Sequence, residues 1–147
     1  MSYIDFESIA LGAILKINNK DNTLAIYKTK GFDKWASKSG LTDAALQTAV
    51  EEMENGLYEA NLGGDVYKKR VGLRNQGKRG GARTLLAFKK DDNVFFMYGF
   101  AKNKQANVKP DELKALKLLA KQLLGYSQQD LDKAVNAGEL IEVNDDE

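Results

Sequence analysis

The stretch "GKRGGARTLLAFKK", residues 77–90, combines three glycines, five cations and a short apolar run. Glycines beside cations are typical of anion binding, because glycine lets the backbone approach a ligand closely. The stretch is not a Walker phosphate loop, since Ala82 and Arg83 stand where that motif needs Lys and then Ser or Thr. We therefore interpret residues 74–81 as a loop between strands, followed by a strand that carries Arg83.

Alternating residue types in two neighbouring strands predict one cationic face of a sheet. In residues 65–74 three apolar or aromatic side chains, Tyr67, Val71 and Leu73, share one parity, and three cations share the other: Lys68, Arg70 and Arg74. Arg83 takes the solvent-facing parity of the next strand, so we expect these cations together to bind phosphate groups. The alternative for Arg83 is a cross-strand pair with an acid. Lys69 falls on the apolar parity, which predicts a bulge or an edge position.

Further basic and aromatic residues extend this face. Four more cations lie on the predicted loop or at and beyond the end of the last long strand: Lys78, Arg79, Lys102 and Lys104. Tyr98 shares a parity with Lys102, and an aromatic hydroxyl beside cations suits base stacking or proton transfer. The alternative for Tyr98 is a core position in which a neighbour satisfies its hydroxyl.

Composition excludes several kinds of chemistry. The chain of 147 residues has neither histidine nor cysteine, which removes His-based triads, thiolate nucleophiles and the usual zinc sites. Catalysis must then use carboxylates, Lys, Arg, Tyr, Ser or Thr, and we expect no metal or other cofactor. The sequence has no apolar run near 18 residues and a poor secretory signal, so we expect a cytoplasmic protein without a membrane segment.

Charge is unevenly distributed along the chain, although the net charge is only +1. Residues 61–104 carry eleven cations and three anions, a net charge of +8. The segments before and after them are acidic, with net charges of −3 and −4. This partition predicts that the middle third of the chain contacts phosphate backbones.

Hydrophobic periodicity and capping residues predict an α+β protein with an antiparallel sheet. Thr42 and Ser127 are the predicted N-caps of two helices, and Asp130 completes a capping box with Ser127. The predicted order is a strand, two helices, three strands, two helices and a short last strand: residues 24–29, 32–40, 41–56, 65–74, 82–90, 93–102, 109–125, 127–138 and 139–143.

Four motifs in register resemble the RelE/HigB toxins of bacterial type II toxin–antitoxin modules, within the RelE/ParE superfamily. They are "VYKKRV", "GKRGGARTLLAF", "FFMYGFAKN" and "DELKALKLLAKQLL". The resemblance implies a toxin domain at residues 23–143, an N-terminal extension at 1–22 and a tail at 144–147. It also implies a RelE-like fold, with helices packed on one side of a curved, mainly antiparallel sheet.

The resemblance implies an activity and partners as well. RelE-like toxins are endoribonucleases that cut mRNA on the translating ribosome and so inhibit translation. A ribose 2′-hydroxyl attacks the next phosphate and leaves a 2′,3′-cyclic phosphate, without a metal ion. The implied partners are mRNA, the ribosome and a cognate antitoxin, expected to be a small helix-turn-helix protein.

By position, the resemblance assigns roles to the basic and aromatic residues. Arg83 matches the arginine that clamps the scissile phosphate, and Lys102 matches a basic residue after the last long strand. Lys68 and Arg70 match a basic pair, and Tyr98 is a fifth catalytic candidate. Five further cations are expected to bind RNA: Lys69, Arg74, Lys78, Arg79 and Lys104. The resemblance leaves the general base unassigned.

Two other functions fit the same sequence. ParE-like relatives share the fold but inhibit DNA gyrase by protein contact, and a non-catalytic RNA-binding module would also use a basic sheet. The +8 segment, with Arg83 and Lys102, favours a nuclease over a gyrase inhibitor.

Overall fold

The computed structural model describes residues 24–73 and 77–144, without the side chains of residues 77–80. The predicted extension at 1–22 and Arg74 lie outside the described residues, as do the side chains of Lys78 and Arg79. The elements are β1 Ile26–Thr29, α1 Lys30–Ser39, α2 Asp43–Glu54, β2 Ala60–Gly63, β3 Val66–Leu73, β4 Gly77–Ala87, β5 Val94–Ala101, α3 Pro110–Leu124, α4 Gln128–Asn136 and β6 Leu140–Glu142.

Helix boundaries follow the capping residues that the sequence predicted. The Thr42 side chain accepts a hydrogen bond from the backbone N–H of Ala45 at the start of α2. Ser127 and Asp130 form the reciprocal capping box of α4. These bonds satisfy backbone donors that a helix leaves unpaired at its first turn. In the described part of the chain, no helix has both the length and the apolar character needed to cross a membrane.

The six strands form one sheet in the order β2-β3-β4-β5-β1-β6. All neighbours are antiparallel except β1 and β5, which run parallel. The predicted α+β class and mainly antiparallel sheet are therefore confirmed. The sequence did not reveal β2, a strand of four residues that ends at a tight turn. Three successive residues of that turn adopt positive φ angles: Gly63, Gly64 and Asp65.

Helices cover both faces of the sheet, so the prediction of helices on one side is wrong in this respect. Leu46 of α2 packs in one core with Phe96, whereas Leu123 of α3 packs in a second core with Phe95. Successive strand residues point to opposite faces, and β5 is apolar on both parities. A sheet that is apolar on both faces must bury both, and the two helix pairs do so.

The glycine-rich stretch is strand rather than loop, because β4 begins at Gly77 and not after residue 81. Leu73 pairs with Gly77 and Val71 pairs with Ala82, with a shift of register between them. Pairing of Gly77 and Ala82 with β3 satisfies backbone groups that a loop would leave to water. The β3–β4 hairpin is consequently longer than the sequence pattern indicated.

A bulge in β5 changes which side chains share a face. Leu85 pairs with Tyr98, but its neighbour Leu86 pairs with Phe96, so Met97 is an extra residue. As a result Phe96 lies in the core under α1 and α2, whereas Tyr98 and Phe100 lie with the core under α3 and α4. Strict alternation would place Phe96 and Tyr98 on one face, and the bulge separates them.

Candidate active site

Register across three central strands brings the main candidate residues together. Arg70, Arg83 and Phe100 form one row across β3, β4 and β5. Lys68, Leu85 and Tyr98 form the adjacent row, and adjacent strands lie about 4.8 Å apart. Both rows lie on the face that α3 and α4 partly cover, since Leu85 and Phe100 belong to that core. We call the four polar members the basic face: Lys68, Arg70, Arg83 and Tyr98.

Arg83 is buried, contrary to the expectation of an exposed side chain, and only 3% of its surface is accessible. Its Nε lies 3.0 Å from Oε1 of Glu59 in an ion pair. The buried Nη1 has no hydrogen-bond partner among the described residues. The acid partner that the sequence left as the alternative therefore exists, and burial of a guanidinium is tolerated because the charge is paired.

Glu59 is the residue of this site that the sequence did not reveal. The chain bends at Glu59, just before β2, and its backbone N–H donates to the carbonyl of Lys68 at 2.8 Å. Its Oε2 lies 4.0 Å from Nε of Arg70. Like charges directly opposite each other in a sheet destabilise it, so one carboxylate between Arg70 and Arg83 offsets their repulsion. The sequence signal was weak: Glu59 is the sole acid between Glu54 and Asp65.

The loop between β5 and α3 lies against the basic face. Lys68 Nζ donates to Oδ1 of Asn107 at 2.7 Å, which fixes this loop beside β3. The loop also carries Lys102 and Lys104, both exposed and without an ion pair among the described residues. Arg70 is similarly open, with 45% of its side chain accessible. The accessible cations of the site are therefore on β3 and on this loop.

Lys69 lies on the opposite face and does not join the site. It pairs regularly with Thr84, is 5% exposed, and its Nζ lies 2.7 Å from Oε1 of Glu52 on α2. The predicted bulge or edge position is wrong, because Lys69 pairs regularly in a strand inside the sheet. The ion pair with α2 explains how a lysine can occupy the apolar parity. Since Lys69 is buried, its side chain is not accessible for the RNA contact that the sequence predicted.

A cleft of about 330 Å³ opens beside Glu59 and Arg70. Tyr98 is half-buried and tilts against Phe100, with ring centroids 6.1 Å apart. No group of three or more carboxylates among the described residues is arranged to hold a metal ion. The side chains of the site can bind an anion through cations, accept a proton on a carboxylate and donate one from a phenol or an ammonium.

These features define a small α+β protein with a basic and aromatic site on its central antiparallel strands. A family model for the RelE toxin of the RelE / RelB toxin–antitoxin system matches residues 24–143, most of the chain. The chain belongs to this RelE toxin family, as its motifs predicted. Membership makes it the toxin of a toxin–antitoxin system and implies a cognate antitoxin. A search of curated proteins found no match.

Proposed function

We propose that this toxin is an endoribonuclease that cleaves mRNA during translation in the cytoplasm, without a metal ion. Toxins of the RelE family are generally endoribonucleases, which supports this class of activity. The observation that carries the proposal is the register of Arg70 and Arg83, with Glu59 between them and the row of Lys68 and Tyr98 beside them. Such a site can hold a phosphodiester and move protons.

The exposed guanidinium of Arg70 is the proposed clamp of the scissile phosphate. A guanidinium can donate two hydrogen bonds to phosphate oxygens, where negative charge builds as the transition state forms. Arg83, which the family resemblance suggested for this role, is buried behind Glu59 and acts through that carboxylate. Arg83 is therefore proposed as a positioning residue rather than as the clamp.

The remaining candidates have supporting roles in the proposal. Lys68 and Lys102 add positive charge near the phosphate, and Tyr98 stacks against a base or donates a proton to the leaving oxygen. Lys104 extends the cationic surface along the RNA backbone, and the same contribution is proposed for Arg74, Lys78 and Arg79. The proposed antitoxin is a small helix-turn-helix protein.

Expression of the toxin without its antitoxin tests the proposed function. We expect growth to stop and transcripts to be cut inside coding regions, which sequencing of RNA 5′ ends detects. Arg70→Ala should restore growth and leave transcripts intact at equal protein level. Uncut transcripts in arrested cells that express the unmodified protein would contradict the proposal.

A second function, inhibition of DNA gyrase by a protein of the same fold, makes a different prediction. In that case growth would stop with intact transcripts, and covalent gyrase–DNA complexes would accumulate. The exposed cations Arg70, Lys102 and Lys104 favour the ribonuclease, since a cationic surface attracts a nucleic-acid backbone.

A further inference from the structure

Glu59 occupies a distinctive position in the site. Among the described residues it is the carboxylate that forms ion pairs with Arg70 and Arg83. Its side chain is 28% exposed and borders the cleft that also reaches Arg70. A carboxylate beside a proposed phosphate clamp repels the phosphate and weakens substrate binding. Its presence there therefore indicates a role that offsets this cost.

The two oxygens of Glu59 have different surroundings. Oε1 lies 3.0 Å from the buried Nε of Arg83, which fixes the carboxylate in place. Oε2 lies 4.0 Å from Nε of Arg70, a separation too long for a hydrogen bond. One oxygen is thus anchored and the other keeps the capacity to accept a proton from a bound substrate.

Elimination among the neighbouring groups leads to the same residue. Ammonium, guanidinium and phenol groups ordinarily hold their protons at neutral pH, so they are poor proton acceptors. The chain has no histidine. The charged groups paired with Glu59 are Arg70 from β3 and Arg83 from β4, both of them cations. The carboxylate of Glu59 is therefore the proton acceptor of this site.

We infer that Glu59 is the general base of the cleavage reaction, an inference that rests on the proposed ribonuclease function. Oε2 takes the proton of the ribose 2′-hydroxyl as the 2′-oxygen forms a bond to the adjacent phosphorus. The bond from phosphorus to the 5′-oxygen breaks, and this oxygen receives a proton from water, or from Tyr98, which then regains one from water. The products are a 2′,3′-cyclic phosphate and a 5′-hydroxyl, and the carboxylic acid of Glu59 returns its proton to water. Arg70 binds the scissile phosphate, and Arg83 fixes the position of the Glu59 carboxylate.

A purely structural Glu59 would behave differently. If it served only to neutralise Arg70 and Arg83, removing its charge would strengthen RNA binding and leave the chemical step unchanged. Glu59→Gln separates the two roles, because the amide keeps the shape and an acceptor oxygen but cannot take a proton at neutral pH. Glu54→Gln is the matched control, since Glu54 is an exposed residue at the end of α2 beside Leu24 and Val94.

The experiment is single-turnover cleavage of mRNA on purified translating ribosomes, measured across a range of pH. Glu59→Gln should lower the cleavage rate by about 10²–10⁴-fold, the scale of a lost general base, without weakening binding to the ribosome-bound message. The wild-type rate should rise with pH on an acidic limb that the variant lacks. Glu54→Gln should match the wild type, and thermal melting should show that all three proteins are folded.

Other outcomes separate failure of the role assigned to Glu59 from failure of the proposed ribonuclease function. If the wild type cleaves and Glu59→Gln cleaves within about tenfold of it, Glu59 is not the base. The same conclusion follows if the variant is slow but keeps the acidic limb. If the wild type does not cleave mRNA at all, the proposed ribonuclease function fails, and the role of Glu59 fails with it.

Discussion

At the scale of single residues, Arg70 and Arg83 differ sharply although they face each other across one ladder. Arg83 is buried with its Nε on Glu59, whereas almost half of the Arg70 side chain is accessible. Alternation along the strands correctly predicted that the two arginines share a face. It could not predict exposure, because that depends on a loop residue, Glu59, which approaches from another part of the chain.

This contrast predicts different effects on stability. Arg83→Ala removes one partner of a largely buried ion pair and should lower the free energy of unfolding by about 2 kcal/mol. Arg70→Ala, at an exposed pair 4.0 Å long, should change it by less than about 0.5 kcal/mol. Urea denaturation of both variants measures this difference. Equal destabilisation would contradict the assignment of Arg83 as the structural partner of Glu59.

The two variants should also differ in how they lose activity. Arg70→Ala should lower the single-turnover cleavage rate by about 10²–10³-fold, the scale for loss of one transition-state donor, in a protein that is as stable as the wild type. Arg70→Lys should restore little, because an ammonium lacks the planar fork of a guanidinium. Wild-type turnover by Arg70→Ala would remove Arg70 from the mechanism.

Lys28 gives the protein a pH-dependent contribution to stability. It is 8% exposed in β1, and its Nζ lies 2.8 Å from Asp43 and 2.9 Å from Asp33. Burial alone would lower its pKa, but hydrogen bonds and charge from Asp43 and Asp33 outweigh burial and raise the pKa above its ordinary 10.5. The ion pairs therefore stabilise the fold fully below pH 10.5, and this stabilisation is lost as pH rises through the raised value.

Comparison of the wild type with Lys28→Met tests the direction of this pH dependence of stability. The wild type should be the more stable protein near neutral pH, and the difference in free energy of unfolding should shrink above pH 10.5. Tyr27, whose pKa is raised by burial and then by Glu142 and Asp132, also titrates in alkali but is present in both proteins. Chemical denaturation at a series of alkaline pH values measures the difference. A difference that stays constant with pH would contradict the account.

At the scale of elements, local signals predicted most helices and strands because each has its own cap or period. Thr42, Ser127 and the alternation in β3 act within a few residues of sequence. Three features were not predicted because they depend on pairing between segments: β2, the extension of β4 back to Gly77, and the bulge in β5. The bulge matters most, since it puts Phe96 and Tyr98 on opposite faces of the sheet.

Gly99, next to this bulge, has a packing reason to be glycine. A Cβ atom at Gly99 would collide with the ring of Trp35, which packs over β5 from α1. Gly99→Ala should lower the free energy of unfolding by about 1–3 kcal/mol through overpacking. Gly31→Ala is the control, because a Cβ there meets open space in the first turn of α1 and should be neutral or stabilising by up to about 1 kcal/mol. Similar melting temperatures for the two variants would contradict this packing.

At the scale of the whole molecule, an almost neutral chain concentrates its positive charge in residues 61–104. That segment forms most of β2 through β5 and the start of the loop after β5. Together these build the basic face and its rim, which consists of the exposed cations Lys102 and Lys104. The charge of this segment was readable from the sequence. The sequence did not show which cations remain accessible, because Lys69 is neutralised by Glu52 of α2 and Arg83 by Glu59, the residue before β2.

An exposed cation at the rim should affect binding but not chemistry. Lys104→Ala should weaken binding of single-stranded RNA modestly and make it less dependent on salt, by about 0.7 in the slope of log K against log salt concentration. Fluorescence titrations at several salt concentrations measure this slope. Lys69→Ala would break its buried ion pair, so its effect should appear in stability instead. An unchanged slope for Lys104→Ala would place the RNA elsewhere.

The chemical identity of the RNA ends tests the central claim most directly. The purified toxin is added to a reconstituted translation reaction, and the cut message is probed with enzymes specific for each kind of terminus. The account predicts a 2′,3′-cyclic phosphate on one fragment and a 5′-hydroxyl on the other, with no cut where the attacking ribose is replaced by 2′-deoxyribose. Fragments with a 5′-phosphate, or cleavage at a 2′-deoxyribose, would contradict attack by the 2′-hydroxyl.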